Sequence, residues 1–210
     1  MSNLERVNRL IRMSVLASGS TGNATYVESD KGSLLVDAGL TGKKTEELFS
    51  KIDKNIADLN GILVTHEHVD HIKGLGVLAR KYQLPIYANE KTWQAIEKKD
   101  SKIPMDQKFI FNPYETHSLA GFDIESFNVS HDAIDPQFYI FHNDYKKFTM
   151  ITDTGYVSDR MKGMIRGSDA FMFESNHDVD MLRMCRYPWK TKQRILGCLL
   201  YTSDAADDSL

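Results

Sequence analysis

Cysteine is nearly absent from this 210-residue chain, which carries only Cys185 and Cys198. A disulfide framework is thereby excluded, and a reducing, cytoplasmic setting is expected. Long hydrophobic runs are missing too. None approaches the roughly 18 residues of a membrane-spanning helix, and residues 1–12 lack the apolar stretch of a secretory signal. Neither sign of charge dominates, with 26 Lys and Arg against 29 Asp and Glu and a formal net charge of −3. That balance argues against an overall cationic glove for nucleic acid and leaves local patches open. No repeat, low-complexity segment or linker is visible, so one domain, or one fold of two similar halves, is expected. What is present is ordinary for a soluble globular protein, with 41% hydrophobic and 26% charged residues and enough chain to bury a core.

Along the chain, strand and helix signals alternate. Residues 1–12 place Leu4, Val7 and Ile11 at helical spacing, an amphipathic helix or a frayed extension. Strands are predicted over Met13–Ala17, Ala24–Glu28, Ser33–Val36, Gly61–Thr65 and Pro85–Tyr87, and helices over Thr41–Lys51, Ile72–Tyr82 and Lys91–Lys99. The second half is richer in strand signals, at Phe109–Phe111, Gly121–Val129, Phe138–His142, Phe148–Thr152 and Ala170–Phe173. Helices are expected over Val157–Ile165 and Asp178–Arg186. The pattern suggests an α/β (α+β) chain in which two packed sheets carry helices outside.

The sharpest feature is Thr65-His66-Glu67-His68-Val69-Asp70-His71, set between a buried strand and a helix. In extended backbone, residues two apart point the same way, so His66, His68 and Asp70 project from one edge. His71 opens the next turn and swings into the same volume. Imidazoles and a carboxylate at this density suit a borderline-soft divalent metal. They exceed what one catalytic tetrahedral ion needs while keeping a water, so two metals are inferred. The bland reading is a solvated polar loop; three of the seven histidines falling in one short window weighs against it.

This segment resembles the H-x-H-x-D-H motif of the metallo-β-lactamase fold superfamily and matches it in full. The resemblance extends to the YycJ (WalJ-type) branch through Ser14–Ser20, Leu35–Gly39, Val129-Ser130-His131-Asp132-Ala133, Thr152-Asp153-Thr154-Gly155-Tyr156 and Glu174-Ser175-Asn176-His177-Asp178. It implies an αββα four-layer sandwich with a dinuclear site along one edge of the paired sheets. By that resemblance His66, His68 and His131 bind one metal, Asp70 and His71 bind the second, and Asp153 bridges both. The residues add modest support of their own, because His131 and Asp153 each follow a strand-like segment, where loops carry site residues on a rigid scaffold.

Other candidates carry less. Asp37 ends an apolar strand and is either a turn carboxylate or the partner that holds a ligand imidazole in its tautomer. Ser18, Ser20 and Asn23 offer hydroxyl and amide groups to a substrate phosphate, or form a plain hairpin turn. Glu174 and His177 are candidates for proton transfer to a leaving group; Glu174 is also set with Asp37 as a support behind the ligands, and His177 is either catalytic, beside Asp70 and Asp153, or a surface residue. Glu67 is expected to face away from the metals and either support the ligands from behind or make capping bonds; His117 and His142 are expected to be structural.

The resemblance ends after Leu196-Gly197. The family continues there into a segment with a further histidine for the second metal, whereas residues 198–210 read as a non-family tail, as of read-through on a truncated gene. The domain is therefore placed at 13–197, incomplete at its C-terminal end, after an N-terminal extension at 1–12. The second ion would then be held more weakly, and this chain would be less active or inactive.

No Walker loop, G-x-G-x-x-G or nucleophile motif occurs, so the expected reaction is hydrolysis by metal-activated water. Two cations about 3.5–4 Å apart hold a bridging hydroxide at neutral pH and stabilise an in-line displacement. Ligand types leave Zn²⁺, Mn²⁺ and Fe²⁺ open. Between Arg160 and Arg194, eight basic residues stand against four acidic ones, with Tyr187 and Trp189 interleaved, a surface for phosphates and bases or a solvated helix with its aromatics packed inward. The resemblance favours DNA, since the branch is associated with exonuclease action from the 5′ end. A small-molecule thioester or lactam hydrolase and a degenerate, non-catalytic binding protein are the alternatives.

Overall fold

A computed structural model describes residues 10–99 and 102–173, with isolated positions between 184 and 192. Eleven strands are found among these residues. The first six, β1 (Arg12–Ala17), β2 (Ala24–Glu28), β3 (Ser33–Val36), β4 (Ile62–Leu63), β5 (Ile86–Ala88) and β6 (Lys108–Ile110), form one sheet in that order. Its β1, β2 and β3 pair antiparallel; β3 to β6 pair parallel. The second sheet runs β11 (Ala170–Phe173), β10 (Lys146–Ile151), β9 (Gln137–Asn143), β8 (Phe122–Asn128), β7 (Thr116–Leu119). It is antiparallel except where β11 joins β10.

Period-two alternation sorts each strand's side chains between two interiors. Leu34, Val36 and Leu63 of the first sheet meet Phe122, Ile124, Tyr139, Phe141, Phe148 and Met150 of the second, a seam that joins the sheets face to face. Their neighbours Leu35, Ile62 and Val64 point the other way, onto Phe49 of α1 (Gly42–Lys51), Leu75 and Leu78 of α3 (Leu75–Tyr82), and Trp93 and Ile96 of α4 (Glu90–Lys99). On the far side Phe138, Ile140 and Ile151 pack on Met161 and Ile165 of α5 (Asp159–Ile165). Helix, sheet, sheet, helix is the four-layer order expected from the sequence. None of the described helices is long and apolar enough to cross a membrane.

Helix ends follow local chemistry. Thr41 accepts from the Lys44 N–H ahead of α1, and Ser158 caps α5 by accepting from Met161, each satisfying a donor left open in the first turn.

Three sequence expectations change. The helix foreseen over Ile72–Tyr82 is two helices, α2 (Val69–Ile72) and α3, broken at Lys73-Gly74. Gly74 donates its N–H to Ala38 O at 2.8 Å, and a Cβ there would lie 2.2 Å from Leu40 O, so the break is a close backbone approach that only glycine admits. The strand foreseen over Gly61–Thr65 narrows to Ile62–Leu63, with Val64 still donating its N–H to Tyr87 O at 2.9 Å. Strand β7 was not foreseen: Thr116–Leu119 is polar, half-exposed and at the sheet edge, where alternation is weak. The segments expected at 1–9, most of the helix expected at Asp178–Arg186, and the tail lie outside the described residues.

Candidate metal centre

The parallel strands β3 and β4 deliver two segments side by side at one end of the sheets. Beyond β3, Asp37 turns with a φ of 61°, a left-handed conformation that Asp tolerates better than most residues. Gly39 follows, and a Cβ there would sit 1.6 Å from Asp70 O, so this glycine lets the two segments touch. Beyond β4 the chain reaches His68, which is extended and directly precedes α2. The expected extended alternation therefore holds for His66 and His68 only. Asp70 lies in the first turn of α2, so helical rather than strand geometry brings it and His71 to the site.

Two groups of donors converge. Ligating atoms of His66, His68 and His131 lie within 4.8 Å of one another, and so do those of His66, His71 and Asp153. In the first group His68 Nδ1 stands 3.1 Å from His66 Nε2 and 3.2 Å from His131 Nε2. Three nitrogens bound to one tetrahedral ion at about 2.0–2.1 Å would be spaced about 3.3 Å apart, so the imidazoles already sit at ligand spacing. His131 arrives from the β8–β9 loop. Asp153, just past β10, has a φ of 51°, the same left-handed turn as Asp37. Both carboxylates of the His71 side thus sit in a sparsely populated backbone region, as side chains aimed by a rigid scaffold often do.

Asp70 belongs to neither tight group. Its Oδ2 lies 3.7 Å from His71 Nε2 and within 3.4 Å of Asn23 Nδ2.

A buried network assigns the protons. Thr65 gives its backbone N–H to Asp37 Oδ1 and its hydroxyl hydrogen to Asp37 Oδ2, both at 2.8 Å. With that hydrogen committed, the hydroxyl can only accept from His66 Nδ1, 3.0 Å away. The His66 proton therefore sits on Nδ1, and the Nε2 lone pair faces the cluster. His71 donates Nδ1–H to Asp37 Oδ2 at 2.8 Å, aiming Nε2 at Asp153 Oδ2, 3.0 Å away. Asp37 thus sits in a turn and, from there, accepts from both Thr65 and His71.

Charge divides the same imidazoles. Burial, then repulsion from His71, His131 and His68, pushes His66 well below 6.5. Burial opposes charge on His71 as well, but the Asp37 and Asp153 carboxylates outweigh it and raise its pKa to about 10. For Asp153, burial opposes ionisation; the hydrogen bond and charge of His71 prevail and hold it below the usual carboxylate range.

The remaining candidates divide. Asn23 is buried: its Oδ1 accepts from Gly19 N–H at 2.9 Å and its Nδ2 lies 3.0 Å from His71 Nε2. It lies against the site, while Ser18 and Ser20 are exposed on the same turn. His117 stacks on Phe111 at 4.1 Å, and His142 lies 3.2 Å from Glu125, both away from the cluster as expected. Trp189 is 67% exposed rather than packed inward. Glu174, His177, Tyr187 and Cys198 lie outside the described residues. Sequence reasoning missed Thr65; its place directly before the first histidine was the signal. It also missed Tyr139, whose hydroxyl accepts from Gln137 and donates to Val64 O at 2.7 Å, bracing the strand that enters the motif.

Two sheets in a helix-flanked sandwich, with a histidine-rich loop at their shared edge, define a metallo-hydrolase class of fold. Residues 33–195 match the β-lactamase superfamily domain, and the chain belongs to that family. It is 64% identical over 187 residues to the exodeoxyribonuclease YycJ of Bacillus anthracis, covering 89% of this chain and 71% of that protein. It is 53% identical over 195 residues to the exodeoxyribonuclease WalJ of Streptococcus pneumoniae, covering 92% and 72%. Among solved structures, the metallo-β-lactamase fold protein YhfI of Bacillus subtilis superimposes with a TM-score of 0.72 at 19% identity, over 94% of this chain and 80% of that one.

Proposed function

We propose that this protein is a metal-dependent phosphodiesterase that degrades DNA from an end. The convergence of imidazoles and carboxylates from both sheets carries the metal reading, and the two exodeoxyribonuclease relatives, each matched over more than two thirds of its length, carry the substrate. His66, His68 and His131 hold one divalent ion; His71 and Asp153, with Asp70 closing from beside them, hold a second, and Zn²⁺ or Mn²⁺ suits this donor set, with Fe²⁺ also compatible. Bound there, divalent ions supply Lewis acidity that activates water and stabilises the oxygens of a phosphodiester displacement.

The chain's own residues set the stage for that chemistry. Asp37 and Thr65 lock His66 and His71 in the tautomers that present Nε2 to the centre. Asp153 and Asp70 supply the negative charge that an all-imidazole site lacks. Asn23 holds the turn against His71, and the exposed Ser18 and Ser20 hydroxyls of that turn are the candidate phosphate contacts. Glu174 and His177 are the candidates for protonating the leaving oxygen. The basic residues from Arg160 to Arg194, of which Arg160, Lys162 and Arg166 are exposed, supply charge for phosphates, and exposed Trp189 offers a face for a base.

The test is release of nucleotides from duplex DNA labelled separately at its 5′ and 3′ ends, with Mn²⁺, Zn²⁺ or chelator. Metal-dependent loss of the 5′ label first is expected, with binding that weakens steeply as salt rises. Hydrolysis of thioester or lactam substrates with DNA left intact would sink the proposal.

A further inference from the structure

Glu67 sits between the first two imidazoles of the motif yet takes no part in either donor group. Its side chain is buried. Oε1 accepts the main-chain N–H of Ile134 at 3.0 Å, and Oε2 is enclosed without a hydrogen-bond partner among the described residues. Burying a carboxylate with one oxygen unsatisfied is costly, and an apolar side chain of similar shape would fill the space more favourably. A compensating role is therefore to be sought in what the other oxygen holds.

Ile134 belongs to the β8–β9 loop that carries His131. This loop has no helix or strand of its own between Asn128 and Gln137, so its shape depends on outside ties. At its far end Asn89, whose Oδ1 caps α4 at the Thr92 N–H, donates through Nδ2 to Asp135 O at 2.7 Å, and Asn128 donates to Asp135 Oδ1 at 2.6 Å. Glu67 is itself anchored: Lys99, at the end of α4, donates Nζ to its main-chain O at 2.8 Å. Helix α4, the motif and the His131 loop thus form one braced unit across the two sheets. Within that unit Glu67 spans directly from the segment bearing His66 and His68 to the loop bearing His131.

We propose that Glu67 is a positioning residue: by fixing the Ile134 main chain it keeps His131 Nε2 at ligand distance from His68 and so pre-forms the all-imidazole metal site. The inference rests on the reading of that cluster as a metal centre. Outer partners of metal ligands are worth about 10–100-fold in metal affinity, and Glu67 acts one step further out, through backbone.

The test uses the full chain and the variants Glu67→Ala, Glu67→Gln and Glu67→Asp. Amide exchange at Ile134 is followed in metal-free protein, and Co²⁺ binding by its visible absorption. In Glu67→Ala the Ile134 amide is expected to exchange about tenfold faster and Co²⁺ to bind about tenfold more weakly, with an altered spectrum. Glu67→Gln, whose Oε1 accepts the same bond, restores both. Should Glu67→Ala not fold, Glu67→Asp, which withdraws the carboxylate by one methylene, is read the same way. Co²⁺ affinity and spectrum like wild type in the variant that loses the Ile134 bond would overturn the inference, as would a loss that Glu67→Gln does not rescue. Wild-type protein that takes up no Co²⁺ would overturn the metal reading and this inference together.

Discussion

His66 and His71, with ring centroids 4.0 Å apart, occupy opposite electrostatic surroundings. His66 faces other imidazoles and donates Nδ1–H only to a neutral hydroxyl, so burial and like charge keep it neutral. His71 lies between Asp37 and Asp153 and holds its proton. One side of the centre therefore presents a ready lone pair, while the other presents an imidazolium that must lose a proton before it can bind a cation. A shared edge of two sheets thus builds two kinds of donor group from one residue type, and carboxylate placement alone separates them.

The largest effect expected from breaking this comparison comes from His66→Ala, because His66 belongs to both donor groups. DNA end degradation should fall to background and bound metal should be lost from both sides, as read by nuclease assay and elemental analysis. Retained turnover would contradict the shared role.

Asp37→Ala strikes one side directly and the other only through Thr65. Removing that carboxylate withdraws the main support for the His71 proton and frees the Thr65 hydroxyl and the His71 ring. Affinity for the ion on the His71 side should drop about 10–100-fold, with the His66–His68–His131 side less affected, in a competition titration against a chromophoric chelator. Equal losses on both sides would contradict a separate role for Asp37 at His71.

A pH series sharpens the comparison without mutation. His71 is raised from 6.5 to about 10 in the folded chain. Its pairing therefore stabilises the metal-free protein fully below pH 6.5, and this contribution is lost as pH rises through about 10. His66 runs the other way: its folded pKa lies well below 6.5, so its contribution is present above 6.5 and is lost as the medium becomes acid. The thermal midpoint of metal-free protein should fall on both flanks. Metal uptake near pH 8 should release a proton from the His71 side, measurable in weakly buffered solution, and affinity there should increase with pH.

The smallest change is Tyr139→Phe. It deletes the hydroxyl that links Gln137 to Val64 O, at a cost of about 1 kcal/mol, read by chemical denaturation. Because the Val64 carbonyl precedes both donor groups, the two metal affinities should shift together.

Much of this was legible beforehand where one short segment held the information. The six residues from His66 to His71 named a metal site by spacing, and the short apolar run Ile62-Leu63-Val64 named a buried strand. Resemblance supplied His131 and Asp153, which spacing alone left as turn residues. The break at Gly74 was hidden because the periodicity of Leu75, Leu78 and Tyr82 runs smoothly from Ile72; a backbone approach to Leu40 interrupts it, and no residue type announces a contact made across the fold. Strand β7 was hidden because three of its four residues, Thr116, His117 and Ser118, are polar, and its inward positions are only half-buried. The helical placement of Asp70 was hidden by the strand-like reading of its neighbours.

Sequence by itself determined the two-sheet sandwich, the donor types and the place of the first cluster, since hydrophobic period and local residue chemistry act over short stretches of chain. Tertiary structure alone decided which imidazole is charged, which tautomer each adopts and which buried carboxylate braces which loop. Those properties depend on distances between segments remote in the chain, such as Asp37 to His71 and Glu67 to Ile134, and electrostatic and hydrogen-bond energies follow distance in space rather than separation along the sequence.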